Sequence, residues 1–564
     1  MEKIMPRRPR WRLPVTIFAA VLAVAGLAAI ASRFYWHWQP DHLARQAQVF
    51  QKRNDLKGAA LTAQRALQIN NKNLAATRVM AEIAGKANAP EAVFWWQRVV
   101  QLQPGSTVDC LAWATSALRF GQPQMAGEAL SMVKEADRHT SEYQIAAGTA
   151  AIGLSKTKEA AAHYAEALKL DPQSEVCQYN YATMQIQLPD AAAQKTGVSM
   201  LDALVKSERF RTYARRMLVT YFASHDQPDA ALAQARSLQN DSAALFRDRI
   251  AFLDLLKRMN QAEFADTLKK LLEAAVPNAE NAAALIGWMT ANSLSAESID
   301  WSKNLKPATL AAAPVGPALA QAYFPGKDWT GLRDLVKSGN WGATEYLRLT
   351  YHARALKELG DENGFRAQWS AASTAAVKRG DVTGPLVQML TDWGWVDEAR
   401  ELLWSAASGS QNPKAAIAQL YRDYAGKDDT RGLLRVVSRL VELEPGNDNA
   451  RNNVAMYSLL LKTNTDRAFA IARDLYNKKP TDPGYASTYA LALHRQKRTG
   501  EALRVMEALE PGQLAEPTVA AYYAVLLSAQ GQGEKAAKFL ELAKKAKLLP
   551  EEKELVNETA GSVK

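Results

Sequence analysis

Apolar residues recur along most of the chain at the three- and four-residue intervals of amphipathic α-helices. Clear stretches are "AEFADTLKKLLEAA" and "WVDEARELLWSAAS", and in "YALALHRQKRTGEALRVMEAL" a polar turn with glycine separates two such stripes. A stripe of this kind buries one helix face against a neighbouring helix. The pattern therefore predicts an all-α chain of consecutive helical hairpins, including its middle third, where a strand-rich insert is not expected.

The hairpins also repeat with a period of 34 residues. Small residues on one helix and large residues four positions later recur in the N-terminal part, at Ala92, Ala126 and Ala160 with Trp96, Leu130 and Tyr164. The preceding helix of each hairpin carries small residues at Ala114, Gly148 and Ala182, and the C-terminal part repeats the rule at Ala468, Ala502 and Ala536. Small residues at this spacing indicate close helix crossings, and large residues fill the space between the helices.

This period resembles that of the tetratricopeptide repeat family. The matching residues are small at the family's eighth and twentieth positions, large at its twenty-fourth and proline near its thirty-second, as in Ala114, Gly148, Ala160, Tyr164 and Pro172. The resemblance implies a right-handed α-solenoid of stacked helix-turn-helix repeats, in which each repeat buries its apolar face against the next. The family's early tryptophan is mostly missing from this chain.

The predicted domains are distinguished by how closely each part of the chain follows the 34-residue repeat. Regular repeats are expected over 41–208 and 413–549, and a degenerate helical-repeat region over 209–412, with a possible linker at 305–317 where three prolines interrupt the helical pattern. At the C-terminus, Pro550, Glu551 and Glu552 suit the first turn of a helix, so 550–564 is predicted to be a polar capping helix and tail.

An uncharged apolar segment near the N-terminus predicts a membrane anchor. Residues 13–31 ("LPVTIFAAVLAVAGLAAIA") are long enough to cross a bilayer, and the aromatic stretch "RFYWHWQP" follows them. Arginines in the tail, 1–12, place the N-terminus in the cytoplasm and the repeats outside it. The predicted location is the bacterial inner membrane, single-pass, with a periplasmic repeat domain. A signal peptide cleaved after Ala31 is the alternative, and it would export the same domain.

Composition and motifs exclude several functional classes. The 564-residue chain has a net charge of +11, but part of the excess lies in the N-terminal tail, and no basic stripe with interleaved aromatics predicts nucleic-acid binding. Cys110 and Cys177 stand alone, without a CxxC motif or a Cys/His cluster, and are expected to remain unpaired. No catalytic motif accompanies the seven histidines. We therefore expect no enzyme activity, cofactor or metal.

The resemblance also implies where partners bind. In the family, the ligand-facing side chains are those at positions two, five, nine and twelve of each first helix, which line the concave groove. In the N-terminal repeats these positions are Val108, Leu111, Thr115 and Leu118, then Val176, Tyr179, Thr183 and Ile186. In the C-terminal repeats they are Asn453, Tyr457 and Leu460, then Gly484, Ser487, Leu491 and His494. The alternative is that several of these side chains pack against the next turn of the superhelix instead.

The groove residues favour a protein partner. They are apolar or neutral, and only Asn453 suits the clamp with which some family members hold acidic peptide ends, so a hydrophobic or amphipathic helix, or an extended envelope-protein segment, is the expected ligand. The predicted function is a membrane-anchored, extracytoplasmic scaffold in envelope assembly, secretion or polysaccharide export. A glycan-binding accessory solenoid, using the tryptophans between Trp288 and Trp404, is the alternative. An enzyme with a repeat targeting arm is disfavoured, because no long non-repetitive segment remains.

Overall fold

The chain folds as a series of α-helices throughout the part that the structure describes. The computed structural model describes residues 38–409 and 412–562, and no β-strand occurs within these ranges. None of the helices described there has both the length and the apolar character needed to cross a membrane. The predicted tail at 1–12 and the predicted span at 13–31 lie outside the described residues.

The helices group into two compact units, one ending at Leu271 and one beginning at Leu272. This division does not coincide with the predicted boundaries at 208/209 and 412/413. Unit one contains α1 (38–52), α2 (Leu56–Ile69), α3 (Leu74–Lys86), α4 (Glu91–Leu102), α5 (Thr107–Arg119), α6 (Pro123–Ser131), a short 3₁₀ turn (Glu135–Arg138), α7 (Ser141–Gly153), α8 (Thr157–Leu170), α9 (Glu175–Gln185), α10 (Ala191–Leu204), α11 (Arg211–Ser224), α12 (Pro228–Leu238), α13 (Phe246–Arg258) and most of α14 (Phe264–Ala275).

Unit two continues the alternation of first and second helices. It contains α15 (Ala279–Ala291), α16 (Ser295–Ser302), α17 (Pro307–Leu310), α18 (Val315–Ala322), α19 (Trp329–Val336), a 3₁₀ turn (Gly342–Thr344), α20 (Glu345–Glu358), α21 (Glu362–Arg379), α22 (Thr383–Asp392), α23 (Val396–Gly409), α24 (Pro413–Gly426), α25 (Thr430–Leu443), α26 (Asp448–Leu460), α27 (Thr465–Lys478), α28 (Pro483–Arg495), α29 (Thr499–Glu507), α30 (Pro511–Leu514), α31 (Pro517–Ala529), α32 (Gly533–Ala543) and α33 (Pro550–Ser562).

Side-chain caps fix where many of the helices begin. Ser106, Thr140 and Ser174 each accept a hydrogen bond from the backbone N–H three residues later, at the start of α5, α7 and α9. Asp429 does the same for the N–H of Gly432 at the start of α25. Such caps satisfy N–H groups that have no partner within the helix. Local sequence thus marks where these helices begin.

The turn inside most hairpins contains one residue in the left-handed backbone conformation. These residues recur at or near the 34-residue interval from one end of the described chain to the other, at Asn54, Asn88, Gly121, Ser155, Asp226, Asn260, Ser293, Lys327, Gly360, Gly394, Asp428, Lys462, Lys497 and Gly531. The repeat is therefore as regular in the predicted degenerate region, 209–412, as in the flanking blocks. In 209–412 the repeat is visible in the backbone conformation of the turns. The small and large residues that mark the repeat in the flanking blocks are less regular there.

The proline-rich segment predicted as a possible linker is packed into unit two. Its prolines end and start helices as expected, giving α17 and the beginning of α18. Leu305 and Val315 are buried, and a Cβ atom at Gly316 would lie 2.5 Å from Nε1 of Trp341. The segment predicted as a possible linker is therefore packed, and its small residues allow the close approach to the tryptophan.

Candidate functional site

A groove in unit one is lined by equivalent positions of three consecutive first helices, together with Ala235 and Leu238 of the second helix α12. Tyr179 of α9, Tyr213 of α11 and Arg247 of α13 are each separated by 34 residues, and all three line one cavity of about 420 Å³. Met217 and Ala251, one helical turn further along α11 and α13, also line it. These are positions five and nine of the repeat, where the resemblance to tetratricopeptide repeats places ligand contacts.

Aromatic rings form one wall of the groove. The ring of Tyr179 lies 5.3 Å from that of Phe210 and 6.2 Å edge-on from that of Tyr213. Tyr213 is 52% exposed although its neighbours are largely covered. Burial raises the pKa of Tyr179. The wall offers flat apolar surface with hydroxyl groups at its edge.

A buried ion pair holds α11 and α13 together beneath the groove. Nε of Arg216 lies 2.9 Å from both carboxylate oxygens of Asp248, and a terminal guanidinium nitrogen lies 2.7 Å from Oδ2. The same guanidinium donates to the carbonyl of Ala243, while Asp248 accepts the N–H of Leu245. The hydrogen bond to Asp248 raises the pKa of Arg216. The hydrogen bonds between these two side chains fix the distance between α11 and α13. Because the charges are opposite, the pair adds no net charge to the groove.

The rim of the groove carries a cation. Arg247 is exposed, and no ion pair to it is present among the described residues. An apolar partner side chain can thus contact Tyr179, Tyr213 and Met217 while an acidic group meets Arg247. No group of three histidine, cysteine or acidic residues in the described part of the chain is arranged to hold a metal ion.

The other residues predicted for the N-terminal repeats have different exposures. Thr115 is exposed and Leu111 is half-buried on α5, away from the cavity. Thr183 is half-buried on α9, one turn beyond Tyr179. The sequence analysis missed Tyr213, Met217 and Arg247, although the 34-residue interval from Tyr179 and Thr183 would have found them.

The residues predicted for the C-terminal repeats are mostly inaccessible. Tyr457, Ser487 and Leu491 are 8%, 4% and 2% exposed. The hydroxyl of Ser487 donates to the carbonyl of Pro483, and Tyr457 and Leu491 belong to the main core of unit two. The exposure expected for these three is therefore not observed, because side chains from neighbouring first helices pack over them. Charged replacements of Tyr457 and Leu491 are expected to destabilise unit two.

Two predicted residues of these repeats retain some access. Asn453 is half-buried and lines a crevice of about 480 Å³ with Ile417, Tyr421 and Leu440. His494 is half-buried, its Nδ1 lies 3.0 Å from Oγ1 of Thr499, and burial lowers its pKa. Partner binding by Asn453 and His494 stays a prediction.

The tryptophans between Trp288 and Trp404 serve largely in packing. Trp341, Trp369 and Trp395 are buried. The guanidinium of Arg354 lies 5.3 to 5.5 Å from the ring centroids of Trp329, Trp393 and Trp395. A guanidinium in this position stacks on one face of each ring. Those faces are closed to a sugar, so they do not support the glycan-binding alternative.

Both cysteines are buried free thiols in unit one. Cys110 lies in the core around Trp113 and Ala114, two hairpins before Cys177. Burial raises the pKa of each thiol. Neither cysteine has the low pKa and exposure of a reactive thiol.

Comparisons with known proteins add little to this description. No family model matches the chain, and no curated protein matches it. Among solved structures, the chain is similar to pilF of Pseudomonas aeruginosa with 10% identity and a TM-score of 0.31, over 40% of this chain and 99% of that one. It is also similar to a chain of the APC/C hetero-tetramer Cut9-Hcn1, with 13% identity and a TM-score of 0.27 over 92% and 98% of the two chains.

A third similar structure is that of Naa15/Naa10 bound to HypK-THB. Its identity to this chain is 16% and its TM-score 0.28, over 93% of this chain and 78% of that one. TM-scores this low carry no argument about function. The functional inference therefore rests on the residues of this chain.

Proposed function

We propose that this protein is a tetratricopeptide-like scaffold that binds partner proteins through the first-helix groove of unit one. The observation that carries the proposal is the alignment of Tyr179, Tyr213 and Arg247 at one repeat position along one cavity. Repeat proteins recognise ligands by presenting equivalent positions of successive repeats along one surface. A half-exposed tyrosine in such a row is a typical anchor for a partner side chain.

The partner that fits best is an amphipathic helix or an extended segment with an apolar face. Its apolar side chains would contact Tyr179, Tyr213 and Met217, and an acidic side chain would meet the exposed guanidinium of Arg247. The neutralised Arg216–Asp248 pair beneath the groove does not add attraction for charge. The expected binding is therefore driven mainly by apolar contact, with one charge interaction at the rim.

The setting proposed for this scaffold is the bacterial envelope. The apolar segment 13–31, the arginines before it and the aromatics after it support an inner-membrane anchor with the repeats in the periplasm. In that setting the scaffold would hold proteins during envelope assembly, secretion or polysaccharide export.

The test is affinity purification of the tagged, membrane-extracted protein with groove variants. Tyr213→Ala and Arg247→Glu together are expected to reduce capture of specific envelope proteins at least tenfold while the chain keeps a cooperative thermal melt, because Tyr213 is half-exposed and Arg247 is exposed. Ala233→Glu, an exposed position on the second helix α12, is the control that keeps full capture. Equal capture by the groove variant and the wild type would refute the proposal.

A further inference from the structure

The C-terminal helix α33 contacts both its neighbour α31 and a distant earlier hairpin of unit two, formed by α24 and α25. It packs against α31, and Glu551 accepts a hydrogen bond from the hydroxyl of Thr430, 121 residues earlier in the chain. Lys553 also pairs with Asp428 in the turn before α25. A helix that only continued the stack would contact its immediate neighbours. α33 contacts its neighbours α31 and α32 and, in addition, the start of α25 and the turn before it.

One carboxylate anchors the start of this helix. Glu552 is 8% exposed, and it accepts a hydrogen bond from the fully buried hydroxyl of Tyr522 on α31. Its other oxygen accepts the N–H of Leu549 at 2.7 Å, which also caps α33. The hydroxyl of Tyr522 lies 3.3 Å from the sulfur of Met456 on α26. The surface under α33 therefore contains a buried hydroxyl that selects an acidic residue in the first turn of the covering helix.

Apolar contacts follow three and four residues after this carboxylate. Leu555 packs against the core that contains Tyr457, Leu491 and Tyr522. Val556 packs against the small cluster of Ala521, Ala543 and Leu548. Residues three and four apart lie on one face of a helix. The recognised pattern is thus Glu-x-x-Leu-Val on an amphipathic helix.

The helix that supplies this pattern is itself held weakly. Up to Ala560, the buried residues of α33 are the polar Glu552 and Thr559, whereas α31 beneath it is buried at every position from Val519 to Leu527. A helix of 13 residues has little stability on its own. Opening of α33 is therefore expected to cost a fraction of the free energy of global unfolding.

We propose that α33 is an internal ligand, and that the surface beneath it binds an amphipathic helix of a partner protein with the same pattern. The partner would present a glutamate in its first turn to Tyr522 and two adjacent apolar side chains to the surroundings of Leu491 and Ala521. The contacts of Glu552, Leu555 and Val556 show which charge and which apolar side chains this surface accepts. The proposal goes beyond the function proposed above, because it concerns a different unit and a different surface.

The probe for this proposal is a fluorescein-labelled peptide of residues 547–562, titrated into the full chain. Leu555→Asp with Val556→Asp should loosen α33 and free the surface, so the peptide is expected to bind this variant at least tenfold more tightly than the wild type. Asn557→Asp with Ala560→Asp adds the same charge on the exposed side of α33 and should bind as the wild type does. A peptide carrying Glu552→Ala should bind the loosened variant at least tenfold more weakly.

Several outcomes would overturn the proposal. One is equal binding of the peptide to all three chains, and another is loss of the cooperative melt in the loosened variant, which would make α33 a part of the core. Hydrogen exchange of the wild-type chain gives an independent measurement: the amides of α33 should exchange faster than those of α31, and equal protection would refute displacement. A wild-type dimer that exchanges α33 between copies would show that a second copy is the occupant.

Discussion

Tyr164 lies so close to Gly148 that a Cβ atom at Gly148 would be 2.7 Å from Cε1 of the tyrosine ring. The tyrosine is 6% exposed, and its hydroxyl is 3.0 Å from Oγ1 of Thr149. Two contacts, one apolar and one polar, thus hold the ring of Tyr164 on α8 against α7. This is the pairing of a small and a large residue that the 34-residue period predicts.

Gly148→Ala is expected to destabilise unit one by about 1 to 3 kcal/mol, because the methyl group would push against a ring that cannot rotate freely. Gly127→Ala is the control, since Gly127 also lies inside a helix but a Cβ atom there would have no neighbouring atom within 4 Å. There the gain in helix propensity should stabilise the chain by about 0.4 to 1 kcal/mol. Urea unfolding of both variants measures the difference, and equal signs would contradict the packing described.

Asp248→Ala is expected to reduce the free energy of unfolding by about 3 kcal/mol, because it leaves the Arg216 guanidinium, whose side chain is 18% exposed, without its carboxylate. Replacing both partners, Arg216→Met with Asp248→Leu, should cost less than the single change. The exposed pair Lys303–Asp300 serves as the control, and Asp300→Ala should change stability by no more than about 0.5 kcal/mol. A double variant less stable than Asp248→Ala would contradict this account.

Unit two is expected to lose stability as the pH rises above about 10, the ordinary pKa of tyrosine. Burial, with the nearby Glu552 carboxylate, raises the pKa of Tyr522 in the folded state, and burial also raises that of Tyr457. The unfolded chain therefore releases these protons first, so the stabilisation is complete below pH 10 and is lost as the pH climbs towards the folded-state values. Each such tyrosine should contribute a slope of about 1.4 kcal/mol per pH unit.

Urea unfolding measured from pH 8 to pH 11 tests this dependence. Tyr522→Phe should lower stability at pH 8, because Glu552 loses its hydrogen-bond donor, and should also reduce the slope above pH 10. A slope that is the same in the variant and the wild type would show that Tyr522 ionises equally in both states.

The N-terminal segment is expected to remain attached and to hold the protein in the membrane. Residues 13–31 are apolar and uncharged, and the preceding arginines favour a cytoplasmic N-terminus. Intact-mass spectrometry should find the full chain in the membrane fraction, and deletion of 13–31 should release it. A mature N-terminus at Ser32 would instead identify a cleaved signal peptide.

The sequence by itself determined the helices, their pairing and one residue of the cavity in unit one. Caps such as Ser174 and the spacing of apolar residues are local signals, so hairpins could be predicted without knowledge of their neighbours. The resemblance to tetratricopeptide repeats implied that Tyr179 faces the groove, and the structure has it lining the cavity. The 34-residue interval continues to Tyr213 and Arg247, where residue identity changes while the backbone repeat does not.

Only the tertiary structure decided which groove positions remain accessible. Tyr457 and Leu491 occupy the same repeat positions as residues lining the groove of unit one, yet they are buried in unit two. Both belong to a core that also contains Tyr424 of α24 and Tyr522 of α31, so their burial depends on helices that lie apart in the sequence. A repeat pattern specifies the direction of a side chain within its own hairpin. What covers that side chain is set by the packing of distant segments, which no local period encodes.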